Sequence, residues 1–172
     1  MIFKNSFETG IVPDSCKVAI IKALFKKGDM KLASNYRPVS LTSILCKLME
    51  KIIRKRITDH MNSFNLFSDK QFGFLGGRST SLQLLNVLDN WTEILDKGGV
   101  LNVIYMDFMK AFDKVPHVRL LQKMKAYGLS DSIYNGVQHC LSGRKQCVQV
   151  NGSQSRWHSV TSGIPQGNSV YK

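Results

Sequence analysis

Val100-Leu101-Asn102-Val103-Ile104-Tyr105-Met106-Asp107-Phe108-Met109-Lys110-Ala111-Phe112-Asp113 is the stretch on which the reading of this chain turns. Val100–Met106 is short, almost wholly apolar and preceded by Gly98-Gly99, the pattern of a buried central strand. Asp107 stands directly at its end. A carboxylate held at a sheet edge can meet a metal or a substrate, and Mg²⁺ commonly takes one or two carboxylates beside substrate phosphates. The plainer alternative is that Asp107 caps the following turn. Asp113, six residues on, either caps the helix opened by Pro116 or holds the loop.

Upstream, Lys17–Phe25 reads as a strand rich in branched apolar residues, and Lys26-Lys27-Gly28-Asp29 as a turn. Tyr36–Leu41 reads as the returning strand of a hairpin with a long, basic tip. From Ser43 the period changes. Ile44, Leu45, Leu48, Met49, Ile52, Ile53, Ile57 and Met61 recur at helical spacing, which predicts a helix of about five turns. Its polar face carries Lys47, Lys51, Arg54, Lys55 and Arg56, suited to solvation or to phosphate contact. Residues 68–78 form a glycine-bearing loop that leads into an amphipathic helix at 79–97. The loop and Arg78 suit either an ordinary helix cap or an anion site at the helix start. Downstream, Pro116 and His117 open a helix capped by Gly128, and Ser130 begins another, to about Leu141. Gln146–Val150, Asn151-Gly152 and Ser155–Thr161 predict a two-residue hairpin. Ser162-Gly163-Ile164-Pro165-Gln166-Gly167 is a rigid loop. Strands and helices mix without regular alternation, which argues an α+β fold.

The 172 residues carry 24 Lys and Arg against 12 Asp and Glu, a net charge of +12. That balance points to a polyanion, nucleic acid or an anionic membrane surface. The excess is spread along the chain, which favours one continuous body over a basic arm. No Asp or Glu follows Asp131, so carboxylate chemistry must draw on residues 1–131. No apolar run reaches the roughly 20 residues of a membrane span, and the N-terminus lacks a signal-peptide core. Cys16, Cys46, Cys140 and Cys147 match no zinc spacing and read as free thiols in a reducing compartment. The four histidines are far apart in sequence, and structural or surface roles suit them better than metal binding.

In order, the chain offers a basic hairpin, a helix, a glycine loop, a helix, a strand ending in Asp, a hairpin and a Pro-Gln-Gly loop. With these residues it resembles the reverse-transcriptase domain of non-LTR (LINE-type) retrotransposons. The carrying motifs are Ser34-Asn35-Tyr36-Arg37-Pro38-Val39-Ser40-Leu41-Thr42-Ser43, Lys70-Gln71-Phe72-Gly73-Phe74 with Gly77-Arg78-Ser79-Thr80, Tyr105-Met106-Asp107-Phe108 with Lys110-Ala111-Phe112-Asp113-Lys114-Val115-Pro116-His117, and Thr161–Gly167. The resemblance implies the fingers and a partial palm of a right-hand polymerase, about 1–99 fingers-like and about 100–172 palm. It implies that Asp107 is the first catalytic carboxylate and a ligand of Mg²⁺, with Mn²⁺ an alternative, in a complete enzyme. It further implies Arg37, Lys26, Lys27, Lys110, Ala111, Phe112, Gln166 and Gly167 around the incoming nucleotide, with Phe112 excluding a ribose 2′-hydroxyl. Gln71, Gly73 and Arg78 would touch the template. The implied partners are an RNA template, a DNA primer and dNTPs, with no membrane, in an intracellular, nuclear setting.

The family's second metal-binding element is a Phe/Tyr-x-Asp-Asp hairpin that follows the Pro-Gln-Gly loop, and this sequence has no acid there. Leu75 stands where the family commonly carries Arg or another polar residue, and Gly167-Asn168-Ser169-Val170-Tyr171-Lys172 departs from the usual Gly-Ser-Val-Leu-Gly-Pro continuation. The expectation is therefore a C-terminally truncated polymerase fragment, inactive by itself. The alternative is a non-catalytic basic nucleic-acid-binding remnant.

Overall fold

The computed structural model of the chain describes residues 2–165. Helix α1 (Ile2–Thr9) leads through a short 3₁₀ turn into β1 (Val18–Phe25), which pairs antiparallel with β2 (Tyr36–Leu41). Four helices follow: α2 (Ile44–Ser63), α3 (Thr80–Asp96), α4 (His117–Ala126) and α5 (Asp131–Leu141). The chain returns to the sheet as β3 (Lys145–Val150), which lies parallel to β1, with β4 (Ser153–Gln154) and β5 (His158–Ser159) antiparallel to β3. The strand order is β2-β1-β3-β4, with β5 also on β3. The mixture of helices and one mixed sheet is the class expected. That sheet joins strands from both sides of the boundary expected near residue 99.

Local signals set most of the boundaries. The Ser43 side chain accepts from the Cys46 amide and Ser79 from the Leu82 amide, so both N-caps satisfy a free helix-start donor. Three helices end in the same way. Gly128 sits at φ +71° with its amide on Lys125, while Leu129 donates to Met124. Gly98 and Gly99 repeat the pattern on α3, and Asn65 and Leu66 on α2. These are Schellman motifs, in which a left-handed residue turns two free amides back onto carbonyls of the last turn. At α4 the motif also packs Leu129 on Met124 within one buried cluster. Ser130 holds the N-cap position of α5 but makes no side-chain capping bond.

The core lies along α2. Cys46 and Met49 join Val12 and Cys16 in one cluster, and Ile53 and Ile57 reach the Met124–Leu129–Ile133 cluster of α4 and α5. The buried stripe is narrower than the sequence suggested, because Ile44, Leu45 and Leu48 stay exposed. On the polar face, Lys55 pairs with Asp59 at 2.7 Å and Arg56 lies over the Phe7 ring of α1. His60 donates to the Tyr127 carbonyl, and His139 accepts from the Val12 amide, both structural roles.

Two expectations need correcting. Val100–Met106 forms no strand, and its apolar side chains are largely open, with Ile104 84% and Met106 89% exposed. A strand is completed by its neighbours' hydrogen bonds. Among the described residues β1–β5 pair with one another, and none lies beside this segment. Apolar composition marked what the segment would bury, not whether a partner was in reach. The returning strand expected at Ser155–Thr161 is also broken. Asn151 (φ +48°) and Gly152 (φ +85°) make the two-residue turn with Val150 opposite Ser153, but pairing continues only as the short β4 and β5.

Candidate functional site

Two of the motifs singled out in the sequence meet where the segment after β5 docks on the turn after Asp107. Lys110 adopts φ +55° and its carbonyl accepts from the amides of Asp113 and Lys114, which closes a tight turn. The Gly163 amide donates to Val115 at 2.9 Å and the Ile164 amide to Phe112 at 3.0 Å. His117 returns a bond from Nε2 to the Gly163 carbonyl at 2.8 Å. Gly163 sits at φ +82°, and a Cβ there would lie 2.7 Å from the Asp113 carbonyl oxygen. Only glycine allows both that backbone conformation and that approach.

A cavity of about 360 Å³ opens beside this junction. Ala19 and Ile21 of β1, Pro38 and Ser40 of β2, and Asp113 and Ile164 are among the residues that line it. The glycine loop reaches the same turn through Phe112. Phe74, at φ +65°, packs edge-to-face on Phe112 with ring centroids 6.0 Å apart. Three separate motifs thus converge on Phe112. Spacing alone did not reveal the parts of Phe74, His117 and Gly163 in this. Gly163 was legible only as a loop glycine, and the other two carry no local signal for a contact so distant in sequence.

Asp107 and Lys110 are exposed, as is Ala111, while Phe112 is partly buried. Asp113 caps no helix; the N-cap of α4 is Pro116. Its backbone holds the loop instead, accepting from the Ser162 hydroxyl at 3.4 Å. Among the described residues no three His, Cys, Asp or Glu side chains gather closely enough to hold a metal ion. A single exposed carboxylate suits an ion that arrives with substrate phosphates better than a resident one.

Arg37 lies in β2 next to Pro38. Strand alternation puts it on the face opposite the cavity-lining Pro38 and Ser40. Lys26 and Lys27 stand exposed at the hairpin tip. That tip is ordered: Tyr36 donates to the Met30 carbonyl, Asn35 to Asp29, and the Phe25 and Tyr36 rings meet edge-on. Arg78 is not a free cation at the start of α3. One of its guanidinium nitrogens donates to the carbonyls of Ser68, Asp69 and Gln71, and the other lies 3.7 Å from the Asp69 carboxylate. It also lies over the Phe72 ring. Gln71 bonds the Gly73 carbonyl at 3.3 Å, so Gln71, Gly73 and Arg78 form one stapled loop. Gln166 and Gly167 lie outside the described residues.

All four cysteines are free thiols. Burial and the nearby Glu50 carboxylate push the Cys46 thiol far above its ordinary range. Burial also raises Cys140, with Arg144 opposing. These are core thiols, unsuited to nucleophilic work. No helix among the described residues is long and apolar enough to cross a membrane.

Comparison with known proteins agrees with the motif order. The family model described as reverse transcriptase (RNA-dependent DNA polymerase) matches residues 25–170. The probable RNA-directed DNA polymerase from transposon BS of Drosophila melanogaster is 32% identical over 98% of this chain and 18% of its own length. The RNA-directed DNA polymerase from mobile element jockey of Drosophila funebris is 31% identical over the same shares. A Pol polyprotein from the type-1 retrotransposable element R2 of Popillia japonica is 26% identical over 83% of this chain and 20% of its own. The chain spans about a fifth of the length of these curated relatives.

Proposed function

Because this chain belongs to the reverse transcriptase (RNA-dependent DNA polymerase) family of non-LTR retrotransposons, we propose that it forms the fingers and part of the palm of such a polymerase. In this reading about 1–99 is fingers-like and about 100–172 palm, with β3 carried back into the fingers sheet. The observation that carries it is the convergence on Phe112. The docked Gly163-Ile164 loop, the glycine loop and the Asp107–Asp113 turn meet beside a cavity that residues of β1 and β2 help to line.

Asp107 is the carboxylate that would hold Mg²⁺, with Mn²⁺ as a substitute, once primer and nucleotide supply the remaining oxygens. A divalent ion bound there would activate the primer hydroxyl and stabilise charge on the transferred phosphoryl group. Lys110 and Ala111 would lie under the triphosphate and Phe112 against the sugar, where its ring would exclude a 2′-hydroxyl. Gln166 and Gly167 would contact the nucleotide, as the family resemblance implies. Arg37, Lys26 and Lys27 would meet its phosphates when the hairpin tip swings over it. Gln71 and Gly73 would face the template, with Arg78 holding their loop in shape. The +12 charge supplies the backbone grip that a sequence-independent polymerase needs.

Two-metal phosphoryl transfer needs several carboxylates at one point, and among the described residues no three His, Cys, Asp or Glu side chains gather closely enough to hold an ion. The 172-residue chain alone is therefore expected to bind template–primer without extending it. A primer-extension assay with dNTPs and Mg²⁺ tests this, alongside fluorescence anisotropy of a labelled RNA–DNA duplex. Incorporation that Asp107→Asn abolishes would show the chain to be a complete catalyst. Failure to bind the duplex at all would remove the polymerase reading and the nucleic-acid-binding remnant together.

A further inference from the structure

The hairpin after β3 carries a feature that the polymerase reading leaves unused. Near the turn, Gln149 faces Gln154; nearer the start of β3, Gln146 faces His158. Between these pairs, residues 155–157 oppose only residues 147–148, so the returning strand holds one residue too many. Ser155 pairs with Val148 by an unusual route. Its amide donates to the Val148 carbonyl at 2.9 Å, but its hydroxyl, not its carbonyl, receives the Val148 amide at 3.0 Å. The hydroxyl also donates to the Arg156 carbonyl at 2.9 Å. Arg156 and Trp157 are left facing the single residue Cys147. That is a β-bulge, a device that re-aims side chains at sheet edges and near functional sites.

The bulge rests on a firm base, since Cys147 is 1% exposed. Trp157 nevertheless leaves half its surface in solvent, unusual for so large an apolar side chain. Its own stretch of chain is cationic or neutral. Its chain neighbours Arg156 and His158 are exposed, as is Lys145 opposite Ser159, and no acid occurs anywhere in residues 132–172. An indole with an open face next to a guanidinium, in a stretch without negative charge, matches the chemistry of single-stranded nucleic acid. Bases stack on aromatic faces while cations follow the backbone.

We propose that the Arg156–Trp157 bulge is a contact for single-stranded nucleic acid, with a base stacked on the Trp157 indole and an adjacent phosphate on Arg156. The contact is sequence-independent, because every base offers a π-face. It rests on the polymerase reading and extends it to a place that none of the family motifs covers.

The test uses the 172-residue chain carrying Trp91→Phe, so that Trp157 is the sole tryptophan, titrated with an oligouridylate of about twelve nucleotides. Anisotropy of labelled oligonucleotide reports binding, and Trp157 emission reports stacking. The expected result is quenching that saturates with the anisotropy curve. Trp157→Ala should weaken binding about tenfold with the same salt slope, and Trp157→Phe should restore most of it. Arg156→Ala should lower the salt slope by about one. Circular dichroism confirms that each variant folds; if Trp157→Ala does not, quenching and the Phe variant decide. Binding with unchanged Trp157 emission, or full affinity in Trp157→Ala, overturns the proposal and leaves the polymerase reading standing. No binding by anisotropy overturns both.

Discussion

Gly163 shows how much one residue can decide. Its φ of +82° strains any other side chain, and a Cβ would press on the Asp113 carbonyl at 2.7 Å. The Asp113 atoms it would meet are all backbone, not a flexible side-chain end that could move aside. Gly163→Ala is therefore expected to cost about 2 kcal/mol, from backbone strain and separation of the two loops. The measurement is the urea midpoint, and an unchanged midpoint would show that the loop after β5 does not dock in solution. Arg78 teaches the opposite lesson. Its guanidinium organises the 68–72 loop through three carbonyls, yet that loop is largely exposed and water can replace the lost bonds. Arg78→Ala should lower global stability by less than about 1 kcal/mol. Limited proteolysis should nevertheless cut within 68–77 several-fold faster. Equal cleavage rates would mean the staple is not formed.

Elements whose signals are local were legible in the sequence. Ser43, Ser79, Gly98, Gly128 and Asn151-Gly152 each fix a boundary through their own backbone or side chain, and each stands where it was expected. Elements that depend on a distant partner were not. Val100–Met106 has strand composition but no described neighbour, and the bulge at Arg156–Trp157 is a matter of register between two strands, which composition does not encode. Helix α3 falls between these cases. Its boundaries came from Ser79 and Gly98, but its leucines pack against nothing that buries them. A paired comparison follows. Gly128→Ala and Gly98→Ala break equivalent left-handed caps, each worth about 1 kcal/mol locally. Helix α4 contributes Met124 to a buried cluster, whereas α3 has no buried residue. Gly128→Ala should shift the thermal midpoint by a few degrees, and Gly98→Ala should leave it nearly fixed while speeding amide exchange in the last turn of α3. Equal shifts would show that α3 is part of the cooperative unit.

At the scale of the molecule the decisive quantity is surface. The chain exposes 12757 Å² at a mass of 19.4 kDa, where a folded monomer of that mass exposes about 8,500 Å². The excess includes apolar side chains in two places: Leu82, Leu85 and Leu88 on α3, and Ile104, Met106 and Phe108 before the Lys110 turn. Exposed apolar area of this extent drives association unless charge prevents it. The net charge of +12 does oppose it, but only over a Debye length, about 10 Å at 0.1 M salt and shorter above that. Two salt responses of opposite sign follow for the isolated chain. Affinity for nucleic acid should fall steeply as salt rises, because counterion release drives it. Self-association, seen by light scattering and by binding of a hydrophobic dye, should rise over the same range as repulsion is screened. Shielding should also be mutual. Saturating the cationic surface with oligonucleotide at low salt removes repulsion without covering the α3 leucines, so it should promote association, not suppress it. A chain that stays monomeric and dye-free from 0.05 M to about 0.5 M salt would mean that α3 and the 100–109 segment close over one another in solution, and that the open arrangement of these two segments is not the one populated.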